Sequence, residues 1–282
     1  MKTGLVLEGG AMRGLFTAGI IDVLMENNIK FNGAIGVSAG AAFGCNYKSG
    51  QIGRVIRYSK RFANNWKYAS VWSLLTTGDY FGAEYAYHFI PNKLDIVDFE
   101  TFHNNPMEFW AVATNVGSGK AVYRHVNTLD DEELEFVRAS ASMPLVSNIV
   151  KLNGQRLLDG GVADSIPLAF FQKQGYQRNV VVLTQPKGYR KQPNKLMPLM
   201  HLQLHRHPKM LKALAERHIM YNKEVDLVLQ EERKGNVFVL QPLIKLTIGH
   251  TSHNPKKMQE TYEHGRKVAT EELEKLKQFL AK

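Results

Sequence analysis

The run Gly36-Val37-Ser38-Ala39-Gly40 leaves this chain few folds, because it joins the apolar stretch Gly33–Val37 to a helix of small residues starting at Ala39. A G-x-S-x-G spacing between strand and helix puts the serine on a strained turn whose flanking glycines relieve crowding. The hydroxyl then stands at the carboxyl end of a strand, with a helix N-terminus behind any negative charge that develops there. Small residues at an ordinary strand–helix turn give the same five letters, so the motif by itself leaves both readings open. The chain in front narrows the choice. Gly4-Leu5-Val6-Leu7 is a short apolar run of the kind a doubly covered parallel strand shows. A Gly-rich turn, Gly9–Gly14, leads into a helical pattern carried by Leu15, Ala18, Ile21, Val23 and Leu24. Strand, helix, strand, helix predicts a layered α/β sheet. Only one strand–helix unit precedes the serine strand, too little chain for an α/β-hydrolase.

Further along, 50–105 reads as mostly helical and aromatic, and 107–115 as a strand that turns at Val116-Gly117-Ser118-Gly119 into 121–125. Thr128, with Asp131 three residues on, predicts a helix N-cap and a helix to about Ala141. Asn153-Gly154 predicts a hairpin turn, and Asp159-Gly160-Gly161 ends its second strand. A buried strand is expected over 179–183, helices around 196–231, a strand at 237–240 and a last helix over about 256–280. Between Lys48 and Tyr68 six basic residues occur without an acid, alongside an apolar stripe of Ile52, Val55, Ile56, Phe62, Ala63 and Trp66. Either that stripe faces the core and the charges are solvated, or the helix lies on an anionic bilayer. Phe81, Tyr85, Tyr87, Phe89, Trp66 and Trp72 are either core or the lining of an acyl pocket.

Charge divides the chain at Pro186-Lys187-Gly188. Of 36 basic and 26 acidic side chains in 282 residues, 17 and 16 fall in 1–185, against 19 and 10 in 186–282. One cysteine, Cys45, excludes an internal disulfide and a Cys-based zinc site, and fits a reducing compartment. Glu8 interrupts the first apolar run, which argues against a secretory signal, and the longest uncharged stretch, 32–47, is too short and Gly-rich to span a bilayer. The expectation is a cytoplasmic protein, with peripheral contact at the inner membrane surface as its one link to lipid bilayers. No metal is expected, because His201 and His205 have only Glu216 nearby as a third ligand. Nucleic acid is not expected either, because no recognisable binding module is present.

The turn Gly9–Gly14 admits three chemistries. A phosphate-binding P-loop needs Lys and Ser/Thr after Gly14, where Leu15-Phe16 stand; a dinucleotide fingerprint needs a glycine where Ala11 stands, and an acid some 20 residues on. An oxyanion hole fits best: free N–H groups on a turn at a helix N-terminus, with Arg13 adding positive charge. Asp159, followed by two glycines that permit close backbone approach, is the stronger candidate to activate Ser38; His88, His103 and His125 sit in segments without motifs.

Together Gly9–Gly14, Gly36–Gly40 and Asp159–Gly161 resemble the patatin-like phospholipase family, over about residues 3–185. The likeness extends to Ala139-Ser140-Ala141-Ser142-Met143-Pro144 and to Val162-Ala163-Asp164-Ser165-Ile166-Pro167. It implies a three-layer α/β/α sandwich with a mainly parallel central sheet, acting on acyl esters of lipids without cofactor or metal. It also implies a Ser38–Asp159 dyad in which Ser38 is nucleophile and Asp159 base. Gly9, Gly10 and Ala11 would supply the oxyanion N–H groups, supported by Arg13, while Gly14, Gly36, Gly40, Gly160 and Gly161 shape the motifs. Ala11 replaces the family's usual third glycine. Residues 1–185 are then the catalytic core and 186–282 a basic, mostly helical extension packed on it. All three motifs precede residue 186, so the charge excess is read as lying outside the chemistry and suited to docking on anionic lipid. Two rivals stand beside the hydrolase. An acyltransferase of related architecture would carry His before the serine, where Val37 stands; a catalytically silent anionic-lipid-binding protein would use only the basic surface.

Overall fold

The computed structural model describes residues 1–281. Strand β1 (Lys2–Leu7) leads through a short turn of 3₁₀ helix, Ala11–Arg13, into helix α1 (Gly14–Glu26); β2 (Gly33–Val37) runs into α2 (Ala39–Lys48). Next come α3 (Arg54–Arg61), α4 (Val71–Thr77), a wide π-type helix over Tyr85–Leu94, and α5 (Phe99–Asn104). Strand β3 (Glu108–Asn115) turns into β4 (Ala121–His125), followed by α6 (Asp131–Ser140) and the hairpin β5 (Val150–Leu152)–β6 (Gln155–Asp159). The remainder is α7 (Leu168–Lys173), β7 (Tyr176–Val182), α8 (Met197–Leu204), α9 (Pro208–Arg233), β8 (Val237–Leu240) and α10 (Pro255–Ala281).

These strands make one sheet in the order β5-β6-β3-β2-β1-β7-β8, with β4 also pairing β3. From β3 to β8 every neighbour is parallel, and the β4, β5 and β6 pairings are antiparallel. Side chains alternate across the sheet, as the two-residue period of a strand requires. Leu5 and Leu7 join one apolar cluster with α1, α2, α6 and α10, whereas Val6, Ile35 and Val37 join another with Phe171, Tyr221 and Val228 of α7 and α9. Two apolar faces, each covered by helices, make the three-layer α/β/α sandwich that the βαβα opening implies. The sheet crosses the charge boundary, because β8 pairs with β7 over Asn179–Val182. Helix α10 packs along α1, where Tyr262 Oη donates to the buried Asp22 carboxylate at 2.7 Å.

Two local expectations are corrected. The cap of α6 is Asp130, not Thr128: its carboxylate accepts the Glu133 N–H at 2.9 Å, while Thr128 joins a loop whose N–H groups converge on Glu133. Between Lys48 and Tyr68 the regular helix is only the eight residues of α3. Its Val55 and Ile56 face the core, but Lys48 and Arg54 are buried too, so these charges are not simply a solvated face. Arg54 is held by Asp95, Nε to Oδ1 3.2 Å, and donates to Asn46 at 2.8 Å. Among the described residues no helix is long and apolar enough to cross a membrane.

Candidate active site

Ser38 stands between β2 and α2 with φ 56° and ψ −122°, a left-handed backbone that a side chain adopts only under constraint. The constraint comes from crowding on both sides. A Cβ on Gly36 would overlap the Gly40 carbonyl, and one on Gly40 would overlap the Leu7 carbonyl, so the chain can make this turn only with glycine at both places. Ser38 N–H donates to Ser140 Oγ at 2.9 Å, and Ser38 C=O accepts from Ala41 and Ala42 N–H at 3.0 Å. The side chain is 6% exposed and points into an apolar cavity.

Asp159 reaches the same point from another strand. Val37 lies opposite Val112, and Asp159 opposite Ala113, so β2 and β6 deliver the two residues to successive rungs of β3. Gly160 passes so close to β3 that a Cβ there would overlap the Val112 carbonyl. The Asp159 carboxylate accepts the Gly161 N–H at 2.8 Å. Burial pushes its pKa above the ordinary carboxylate range; the Arg217 charge, the nearby Ser38 hydroxyl, the Gly161 N–H and the Lys191 charge offset part of that rise. The end of α6 ties both residues together: besides the Ser140 bond to Ser38, Ser142 C=O accepts the Asp159 N–H at 2.8 Å. Ser140 and Ser142 are the positioning residues that the motif Ala139–Pro144 carries.

The turn Gly9–Arg13 lies beside Ser38, with Gly9 close enough that a Cβ would meet Ser38 Cβ at 2.8 Å. The N–H groups of Gly10 and Ala11 donate to no acceptor among the described residues. Ala11 adopts φ 49°, so the alanine takes up the left-handed angle that a glycine would accept without strain. Behind the turn, Glu8 is 4% exposed and serves as its brace: Thr184 N–H donates to Oε2, and Tyr221 Oη to Oε1 at 2.9 Å.

The cavity running from Ser38 is walled by Ala11, Phe43, Tyr58, Tyr68, Tyr87 and Ile90, and Phe81 also lines it. Trp66 and Trp72, 50% and 60% exposed, stay outside it, as does Phe89. The basic C-terminal stretch enters on the other side. Arg217 Nε donates to the Gly161 carbonyl, placing its charge beside Asp159. This corrects the expectation that the cations beyond residue 185 lie outside the site. The sequence held no local signal for it, because α9 carries no motif and reaches Gly161 only through the packing of its layer. No group of three or more His, Cys, Asp or Glu able to hold a metal occurs among the described residues.

Comparison with known proteins gives the family. The family model "Patatin-like phospholipase" matches residues 5–171, and the model of a domain of unknown function, DUF6363, matches 207–281. The chain therefore belongs to the patatin-like phospholipase family, and membership supports lipid acyl hydrolase activity at the level of the family. YjjU, an uncharacterised protein of Escherichia coli K12, is 29% identical over 204 residues, which is 66% of this chain and 52% of that protein. A protein named lysophospholipase NTE1 from the yeast Meyerozyma guilliermondii is 27% identical over 190 residues, 64% of this chain but 12% of its own length. The match thus spans about half of the first relative and a small part of the second. Among solved structures, VipD from Legionella pneumophila aligns with a TM-score of 0.48 at 13% identity, covering 97% of this chain and 67% of that one.

Proposed function

We propose that the protein hydrolyses acyl esters of lipids, with Ser38 as nucleophile and Asp159 as its base. The observation that carries this reading is Ser38 at the end of an apolar cavity, with β2 and β6 bringing it and the buried Asp159 to successive rungs of β3. Asp159 takes the hydroxyl proton as Oγ attacks the ester carbonyl. The oxyanion so formed accepts the unused N–H groups of the Gly9–Ala11 turn, with Arg13 near, and one such donor is worth about 3–4 kcal/mol. Collapse expels the alcohol, which recovers the proton from Asp159, and leaves the acyl chain on Ser38 in the apolar cavity. Water activated by Asp159 then releases the fatty acid. An exposed Asp would be a weak base for this task; burial raises its basicity toward the working pH. The site lies within a protein we place in the cytoplasm, meeting lipid at a membrane surface.

A fluorophosphonate probe tests the assignment directly. It should label the full-length protein once, and labelling should disappear in Ser38→Ala with circular dichroism unchanged. Labelling that persists in the variant would remove Ser38 from the chemistry. Arg217 gives a second check with a defined sign. Asp159 must be ionised to act, so activity falls as pH drops through its raised pKa. Removing the neighbouring cation raises that pKa further, so Arg217→Gln should move the acid limb of kcat/KM up by about one pH unit. Arg217→Lys should return the limb most of the way. An unmoved limb in Arg217→Gln would mean that the cation does not govern the base.

A further inference from the structure

We propose that Arg54 closes the acyl cavity about eight carbons from Ser38, so that the ester taken here carries a short or medium acyl chain and not a long one. The chemistry rests on the reading of Ser38 as the acylated residue; the depth of the cavity stands on packing alone.

Two helices measure that depth. Ala39, Ala42 and Cys45 line the cavity from one stripe of α2 and lead away from Ser38, which caps the helix. Asn46, one place further on, accepts Arg54 Nη1 at 2.8 Å. Helix α6 packs against α2 and recedes in the opposite chain direction. Its end holds Ser38 through Ser140, and Ala141, Val137 and Leu134 line the cavity in turn. At 1.5 Å of rise per residue, the steps from Ala39 to Asn46 and from Ala141 to Leu134 each cover about 10 Å. A saturated chain with bonds near 1.5 Å at tetrahedral angles advances about 1.25 Å per carbon, so about eight carbons fill that length.

The far end is shut. Cys45, Arg54, Tyr58, Ile90, Val97 and Leu129 all line the cavity and are all buried. Ala11, Ala141 and Met143, lining it near Ser38, are only half-buried. A chain therefore enters from the Ser38 end and runs toward Arg54.

What it meets there is a charge with its donors spent. Arg54 Nε and Nη2 both donate to the Asp95 carbonyl, Nε at 3.0 Å, while Nη1 serves Asn46. Nε also lies 3.2 Å from Asp95 Oδ1, and the guanidinium carbon lies 5.2 Å from the centre of the Tyr58 ring. Arg57 grips the same carboxylate from outside, Nη2 to Oδ1 at 2.8 Å and Nε to Oδ2 at 2.9 Å. Displacing a buried, paired charge leaves it without a partner, so a longer chain cannot push past Arg54. The same pairing makes Arg54 a floor and not a receptor for an anionic chain end, because Asp95 already neutralises it and would repel a second carboxylate.

Straight-chain alcohols measure the depth without any chemistry. In calorimetric titrations of the protein from butanol to dodecanol, affinity should rise about fourfold per added carbon while methylenes are being buried, and stop rising at about octanol. Arg54→Ala should carry the break to decanol or beyond, and Asp95 keeps Arg57 as its partner in that variant. Ala42→Leu, which fills the trough part-way along α2, should bring the break down to hexanol or below. Nitrophenyl esters give a second reading. The octanoyl ester should exceed the dodecanoyl ester in kcat/KM by at least about tenfold, and Arg54→Ala should reduce that ratio about tenfold. An arginine needed only for folding would lower both values and leave their ratio alone. Affinity that climbs unbroken to dodecanol, or a break at the same carbon in Arg54→Ala as in the wild type, overturns the proposal. Should that variant not fold, an unmoved break in Ala42→Leu overturns it equally, because the chain would then not follow α2. Alcohols that show the break while no ester is cleaved would keep the floor and remove the hydrolase reading. Esters of every length cleaved alike would keep that reading and remove the floor.

Discussion

Ser38→Ala is expected to lower kcat for ester hydrolysis by about 10⁵-fold or more, and Asp159→Asn by about 10³–10⁴-fold. Loss of the hydroxyl leaves nothing to be acylated. Loss of the carboxylate leaves the nucleophile in place without a group to take its proton, while the oxyanion turn continues to contribute. The two residues act as one unit, so the double variant should be hardly slower than Ser38→Ala alone. Neither change should unfold the protein. Alanine accepts a left-handed angle elsewhere in this chain, at Ala11, and asparagine keeps an oxygen for the Gly161 N–H. Steady-state rates with a short-chain nitrophenyl ester, set beside thermal melts of each variant, decide the matter. An Asp159→Asn enzyme within tenfold of wild type would break the dyad, and a double variant much slower than Ser38→Ala would show that the residues act separately.

Gly265→Ala is expected to destabilise the fold by about 2–3 kcal/mol, against the sign that helix propensity gives. Gly265 lies in the middle of α10, where alanine is intrinsically better than glycine by about 1 kcal/mol. Here it faces α1 at a close approach, and a Cβ would overlap the Phe16 carbonyl oxygen. Gly19 makes the reciprocal approach, with a Cβ that would overlap the Tyr262 carbonyl. The atoms that would have to give way are helix backbone, fixed on both sides, so the two helices must move apart. That separation would loosen Tyr262 from Asp22 and uncover Phe16, which is fully buried. Urea unfolding followed by tryptophan fluorescence and by circular dichroism would show a lower midpoint. A midpoint at or above that of wild type would mean that the helices can separate cheaply and that propensity prevails.

The parts of the site legible in the sequence are those fixed by backbone sterics over a few residues. Gly36 and Gly40 are required by the turn at Ser38 itself, and Gly160 by its approach to β3, so the motifs announce their own geometry. The alternation of Leu5, Val6 and Leu7 likewise reports a strand covered on both faces. The glycines after Asp159 and the resemblance both pointed to its pairing with Ser38, but the strand order that brings the two together, β3 standing between β2 and β6, could not be read from spacing. Arg217 and Lys191 were not legible at all. A charge count treats every lysine and arginine beyond residue 185 alike, and only packing distinguishes the two that reach Asp159 from those on the outer face. Thr128 lost the cap of α6 for a smaller reason: Asp130 offers a carboxylate oxygen two residues nearer the Glu133 N–H.

The pairing of α1 with α10 also sets the order in which this molecule can be finished. Tyr262 reaches back 240 residues to Asp22, and the Gly19–Gly265 crossing closes over a helix made long before α10. A nascent chain thus carries α1, apolar over most of its circumference, with one flank uncovered until α10 has been made. Contacts so distant in sequence form slowly, and the exposed flank is a site for chaperones or for aggregation in the meantime. Closure of that flank waits for α10 to emerge, long after Ser38 and Asp159 have both been made.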